Sequence, residues 1–160
     1  MRRWVRGVVA GVAVTMLPAN ADADVTAFLG VSPTPESRLA RGVAAGGGLV
    51  VVGFEVEVAR LDEDTAAGRP GLTTGMASVM VQTPLEVSRV QFYGAGGLGM
   101  YRERLADDTE TALATSLGGG LKIRVAGPLK LRLDYRLFRL RGDPRHDVYH
   151  RVYAGATLGF

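Results

Sequence analysis

The chain has 160 residues, 22 glycines, no cysteine and a formal charge of +3. That length suits one domain, and the missing cysteines exclude a disulfide scaffold or a thiolate metal site. Setting aside residues 1–23, which carry three arginines and one aspartate, leaves a charge of +1, so no basic footprint for nucleic acid survives.

Those first residues read MRRWVRGVVAGVAVTMLPANADA. Arg2, Arg3 and Arg6 precede an uncharged, mostly apolar core at 7–17, then Pro18 and the small-x-small site Ala21-Asp22-Ala23. This is the pattern of a secretory leader. Its eleven-residue core falls short of the roughly 20 needed to span a bilayer. A cleaved signal peptide at 1–23 and a mature domain at 24–160 are expected; an uncleaved anchor is the alternative.

Beyond the leader no amphipathic helix stands out. Apolar and polar residues alternate at period two, broken by Gly, Pro and Asp clusters, which is the strand signal. Eight segments are predicted, at 24–32, 39–47, 49–60, 72–82, 89–104, 111–125, 129–141 and 150–160. Turns are expected at 46–48, 83–88 and 126–128, and longer charged loops at 32–38, 61–71, 105–110 and 142–149. Long and short connections alternating along the chain, with both termini on the short-turn side, match an all-β, eight-stranded, antiparallel up-and-down transmembrane β-barrel.

The two faces sort cleanly. In the third segment Val52, Phe54, Val56 and Val58 alternate with Gly53, Glu55 and Glu57; in LKLRLDYRLFRL the leucines alternate with Lys130, Arg132, Asp134 and Arg136. One face is almost wholly apolar along strand after strand. The other gathers Glu55, Glu57, Glu103 and Asp134 with Lys122, Arg124, Lys130, Arg132 and Arg136, four acids against five bases. Inside a narrow barrel such charges must pair, because an isolated buried charge costs several kcal/mol. Eight strands leave an interior that side chains fill, which argues against a wide pore. Glycines on the polar face are expected to make room for the long basic side chains.

The chain stops at Tyr153-Ala154-Gly155-Ala156-Thr157-Leu158-Gly159-Phe160. This ending resembles the C-terminal assembly signal of outer-membrane β-barrels, with Gly155, Leu158 and Phe160 at favoured positions and Tyr153 where a polar residue is usual. Across 24–160 the chain is similar to the small outer-membrane β-barrel domain family of Gram-negative-type bacteria, FEVEVARLDED, QFYGAGGLGMYRER and GPLKLRLDYRLFRLRG falling in an uncharacterised branch. The resemblance implies an outer-membrane location and a monomer in outer-membrane lipid and lipopolysaccharide. It also implies handling by periplasmic chaperones and the barrel-assembly machinery. No cofactor, metal or activity is implied, and no enzyme is expected. A lipid A-modifying enzyme, or a soluble periplasmic lipocalin-like barrel with its leucines inward, is the alternative.

Other motifs favour plain roles. Gly94-Ala95-Gly96-Gly97-Leu98-Gly99 fits GxGxxG but continues as strand, without the helix a dinucleotide site requires. His146 and His150 flank a strand start rather than sharing a helix face, and Ser116 is placed two strands from the last one, against a His-Ser-acid deacylase. Asp62, Glu63 and Asp64 with Asp107, Asp108 and Glu110 offer oxygen ligands for Ca²⁺ or Mg²⁺, solvated loop charge being the simpler account. Arg141, Arg145 and Arg151 are candidates for lipid phosphates.

Overall fold

The computed structural model describes residues 22–33, 37–84 and 89–160. The expected leader, apart from its last two residues, lies outside the described residues. Eight strands form: β1 Asp22–Ser32, β2 Arg38–Gly48, β3 Val52–Leu61, β4 Gly71–Gln82, β5 Val90–Leu105, β6 Asp108–Ala126, β7 Leu129–Leu140 and β8 Val148–Gly159. Each pairs antiparallel with the next, and β1 pairs with β8, so the sheet closes into a barrel. Closure removes every sheet edge and so satisfies the backbone without water. The last ladder rung joins the two ends: Ala23 N–H donates to Phe160 O at 3.1 Å, and Phe160 N–H to Ala23 O at 2.9 Å.

Period-two alternation governs exposure. Along β3, Gly53, Glu55, Glu57, Ala59 and Leu61 point inward and are buried, while Val52, Phe54, Val56 and Val58 are exposed. Leu98 is 70% and Leu117 67% exposed, and Phe160 faces outward too. A contiguous apolar outer surface of this kind is stable only against another apolar phase, and around a closed barrel that phase is lipid.

Three expectations need correction. Gly46 and Gly48 lie in β2 rather than in a turn, and the chain reverses at Leu49-Val50-Val51, with Leu49 N–H bonded to Val52 O at 2.8 Å. The glycines serve close strand contact: a Cβ on Gly48 would lie 2.7 Å from both Gly53 Cα and Val52 O. The stretch 105–110 is no long loop. β5 and β6 pair up to Leu105↔Asp108, so only Ala106 (φ 53°) and Asp107 connect them. The longest two strands thus form a tall hairpin, and connection lengths do not alternate strictly. The third correction concerns the lumen, which is not polar throughout. Leu61, Leu72, Met76, Tyr101, Phe138, Leu140 and Tyr149 pack together inside its long-loop half. The other expected lumen charges lie below this cluster, toward the short turns, Glu103 alone standing at the long-loop end.

Candidate functional site

The densest chemistry in the molecule lies inside the barrel, on β3, β7 and β8. Glu55 accepts from Arg132 through both terminal nitrogens, one short and one at 3.1 Å, and from Arg136 Nη2 at 2.7 Å. Asp134 accepts from Arg132 Nη2 at 2.7 Å and Arg136 Nε at 3.2 Å. Glu57 accepts from Arg151 Nη1 at 2.7 Å, whose Nη2 also donates to Thr74 Oγ1 at 3.1 Å. Arg132, Arg136 and Glu57 have no exposed surface. Three carboxylates meet three guanidiniums, so the cluster is neutral.

Two tyrosines tie these pairs into one network. Tyr93 OH receives Arg132 Nε at 2.6 Å and donates to Asp134. Tyr153 OH lies 2.8 Å from Asp134 and 3.1 Å from Glu57; its single proton serves one carboxylate at a time. The rings add cation–π contacts, with Arg132 5.0 Å from the Tyr93 centroid and Arg151 4.3 Å from that of Phe138. Phe28 stacks on Tyr153 at 4.1 Å. A buried cluster of this kind is rigid because each of the three carboxylates lies within hydrogen-bond distance of at least two donor groups, one of them a guanidinium.

Of the residues expected in the lumen, Glu55, Glu57, Arg132, Asp134 and Arg136 come together. Lys122 is buried but pairs with Asp24 instead, nearer the short turns. Lys130 and Arg124 stand at the short-turn mouth around a recess of about 70 Å³ shared with Asp24 and Lys122. Glu103 sits apart, at the long-loop end, accepting Arg145 N–H at 3.3 Å. Arg151 corrects the lipid-phosphate expectation: it points inward, 2% exposed. Its parity with Tyr153, Gly155 and Thr157 carried that information. Tyr93 and Asp24 also escaped notice as partners, although both alternate onto the polar face.

The glycine expectation holds at one position in detail. Gly120 faces Asp134 across β6 and β7, and a Cβ there would collide with Leu133 O and lie 2.7 Å from Tyr93 OH. The Tyr93 hydroxyl occupies space that only glycine leaves open.

The other candidate motifs separate. The GxGxxG stretch is mid-strand in β5. His150 lies on the outward parity of β8 with Nδ1 2.6 Å from Tyr135 OH, whereas Ser116 is buried on the lumen side of β6. The barrel wall separates these two. The loop acids engage protein donors: Asp62 pairs with Arg41 at 2.9 Å, Glu63 accepts Ala106 N–H at 2.7 Å, and Glu110 accepts Asp143 N–H at 2.5 Å. No cluster of three metal-ligating side chains occurs among the described residues.

A closed eight-stranded barrel, apolar outside and charged inside, has the architecture of the integral β-barrels of the outer membrane. Comparison with solved structures finds the same fold in small members of that class. It matches Neisserial surface protein A (NspA) with a TM-score of 0.70 at 17% identity, over 89% of this chain and 98% of NspA. The N-terminal β-barrel domain of Pseudomonas aeruginosa OprF gives 0.64 at 14%, over 87% and 97%. The outer-membrane enzyme PagL gives 0.54 at 10%, over 84% and 98%. No protein-family model and no curated protein sequence matches. At these identities the likeness is one of fold.

Proposed function

We propose that this protein is a non-conducting structural barrel of the outer membrane. In this reading the wall is held rigid, and its lumen blocked, by the network of Arg132, Arg136 and Arg151 with Glu55, Glu57 and Asp134. The observation that carries the reading is the neutral, fully buried set of ion pairs spanning β3, β7 and β8, backed by the apolar packing above it. A pore would need hydrated charges along a continuous path, whereas here two stacked layers of side chains fill the interior. The short links at 33–37, 62–70, 106–107 and 141–147 favour a wall element over a large adhesive surface. Export by a cleaved leader follows from the same reading, as does assembly as a monomer by periplasmic chaperones and the barrel-assembly machinery. Gly155, Leu158 and Phe160, with Tyr153, would then supply the terminal recognition strand.

The test is planar-bilayer recording on the purified protein, together with heat-dependent gel mobility of the membrane fraction. The reading predicts a folded, heat-modifiable band and no stepwise conductance, with current appearing when Arg132 and Arg136 are both replaced by alanine. Sustained ionic steps from the unaltered protein would overturn it.

A further inference from the structure

Glu103 stands apart from the lumen network, and its surroundings leave it incompletely satisfied. It projects inward from β5 at the long-loop end, is 5% exposed, and accepts the Arg145 backbone N–H at 3.3 Å through Oε2. Its other oxygen, Oε1, is buried and has no hydrogen-bond partner among the described residues. A buried carboxylate oxygen in that state is costly, more so than a neutral polar atom. Directly opposite on β6, on the same inward face, stands Glu110. Like charges placed opposite each other across a ladder destabilise it. Glu110 receives Tyr101 OH at 3.0 Å and Asp143 N–H at 2.5 Å, both on Oε1 and neither from a cation.

The two glutamates form the floor of a recess of about 380 Å³ at the long-loop mouth, whose walls include Leu105, Asp108, Asp143 and Arg145. Asp108 and Asp143 are exposed at its entrance. Four carboxylates thus share the recess with a single base, and Arg145 reaches Glu103 with its backbone rather than its guanidinium. None of the four acids has an ion-pair partner among the described residues. The fold therefore concentrates negative charge around a buried, unpartnered oxygen, an arrangement that a bound cation would relieve.

The shape of the recess selects the kind of cation. A hard divalent ion wants six or more oxygens around one point, and no three ligating side chains converge in that way among the described residues. The acids are strung out instead. Inward positions on one strand repeat about every 7 Å, so Asp108 stands one such step above Glu110, a distance that a short methylene bridge between two ammonium groups covers. Leu105, opposite Asp108 in the ladder, offers apolar contact for the methylenes. An ammonium has three N–H donors, enough to reach Glu103 Oε1 and Glu110 together. We propose that this recess binds an aliphatic polyamine, with one terminal ammonium between Glu103 and Glu110 and the chain running out past Asp108 and Asp143. The site is independent of the closed-lumen reading: it lies on the mouth side of the apolar packing around Tyr101 and survives if the lumen conducts.

The test is equilibrium dialysis of the full-length mature protein, refolded into non-ionic detergent free of anionic lipid, against radiolabelled spermine. The unaltered protein should bind it saturably at a single site. Glu103→Gln keeps the shape and removes one of two opposed charges; it should weaken binding at least roughly tenfold, the effect of one charge-assisted contact. Asp107→Asn removes the same charge from the adjoining hairpin link, outside the recess, and should change the affinity by less than about twofold. Mg²⁺ in roughly tenfold excess at constant ionic strength should displace little spermine, because the recess lacks converging oxygens for it. No saturable binding by the unaltered protein up to millimolar spermine overturns the proposal. So does equal weakening in the two variants, which would reduce the effect to diffuse charge at the rim. Full displacement by Mg²⁺ would assign the recess to simple divalent ions and overturn the amine. Heat-dependent gel mobility checks that each variant is folded; should Glu103→Gln not fold, saturation and Mg²⁺ competition on the unaltered protein decide alone.

Discussion

Replacing Glu55 by alanine tests the interior most severely. The carboxylate accepts three N–H bonds, two from Arg132 and one from Arg136. Its loss turns a neutral cluster into one of net +1, around guanidiniums with no exposed surface. Removing one partner of a buried ion pair destabilises by about 3–5 kcal/mol. Summing three charge-assisted bonds would overstate the effect, because Asp134 continues to hold both arginines. We therefore expect a loss of about 3–5 kcal/mol in urea titrations of the barrel refolded into phospholipid vesicles. The sole tryptophan, Trp4, belongs to the expected leader, so unfolding is followed by circular dichroism and gel mobility. Combining Glu55→Ala with Arg132→Met removes acid and base together and should recover part of the loss. A folded Glu55→Ala barrel within about 1 kcal/mol of the parent would refute the idea that these pairs hold the wall.

Gly120→Ala should lower stability by more than about 2 kcal/mol in the same titration, because the new methyl meets the Leu133 carbonyl. Gly75→Ala, where a Cβ meets nothing within 4 Å, should be neutral or nearly so; equal effects would contradict the packing. Because Ala23 exchanges two backbone hydrogen bonds with Phe160, a mature chain starting at Asp24 would lose the closing rung. The sequence Ala19-Asn20-Ala21 also offers a small-x-small site, and intact-mass measurement of the exported protein is expected to place the first residue at Asp22. A mass corresponding to Asp24 would show that the rung is dispensable. Phe160→Ala, which keeps the backbone rung to Ala23, should reduce the membrane-assembled fraction in cells while leaving refolding into vesicles nearly unchanged; parallel losses in both would make the role of the ring structural.

Much of the barrel was legible because lipid on one side and a packed lumen on the other impose a strict two-residue period. That period put Glu55, Glu57, Arg132, Asp134 and Arg136 on one face without any knowledge of the fold. It could not show which of them meet, since pairing depends on strand register and on the curvature that brings β3 opposite β7. Lys122 therefore found Asp24 rather than a glutamate, and Glu57 found Arg151. The missed turn at Leu49-Val50-Val51 has a different origin. Three apolar residues look like strand and three glycines look like turn, but close contact between β2 and β3 demands glycine in the ladder itself.

The assignment of inside and outside underlies every conclusion above, and the absence of cysteine makes it directly measurable. Single cysteines at Leu133 on the outer face and Thr157 on the inner face, each spin-labelled in vesicles, report contact with dissolved oxygen or with a water-soluble nickel complex. The account predicts high oxygen and negligible nickel accessibility at Leu133, with neither reagent reaching Thr157 freely. A Leu133 label relaxed by nickel and shielded from oxygen would place the leucines in water and contradict it.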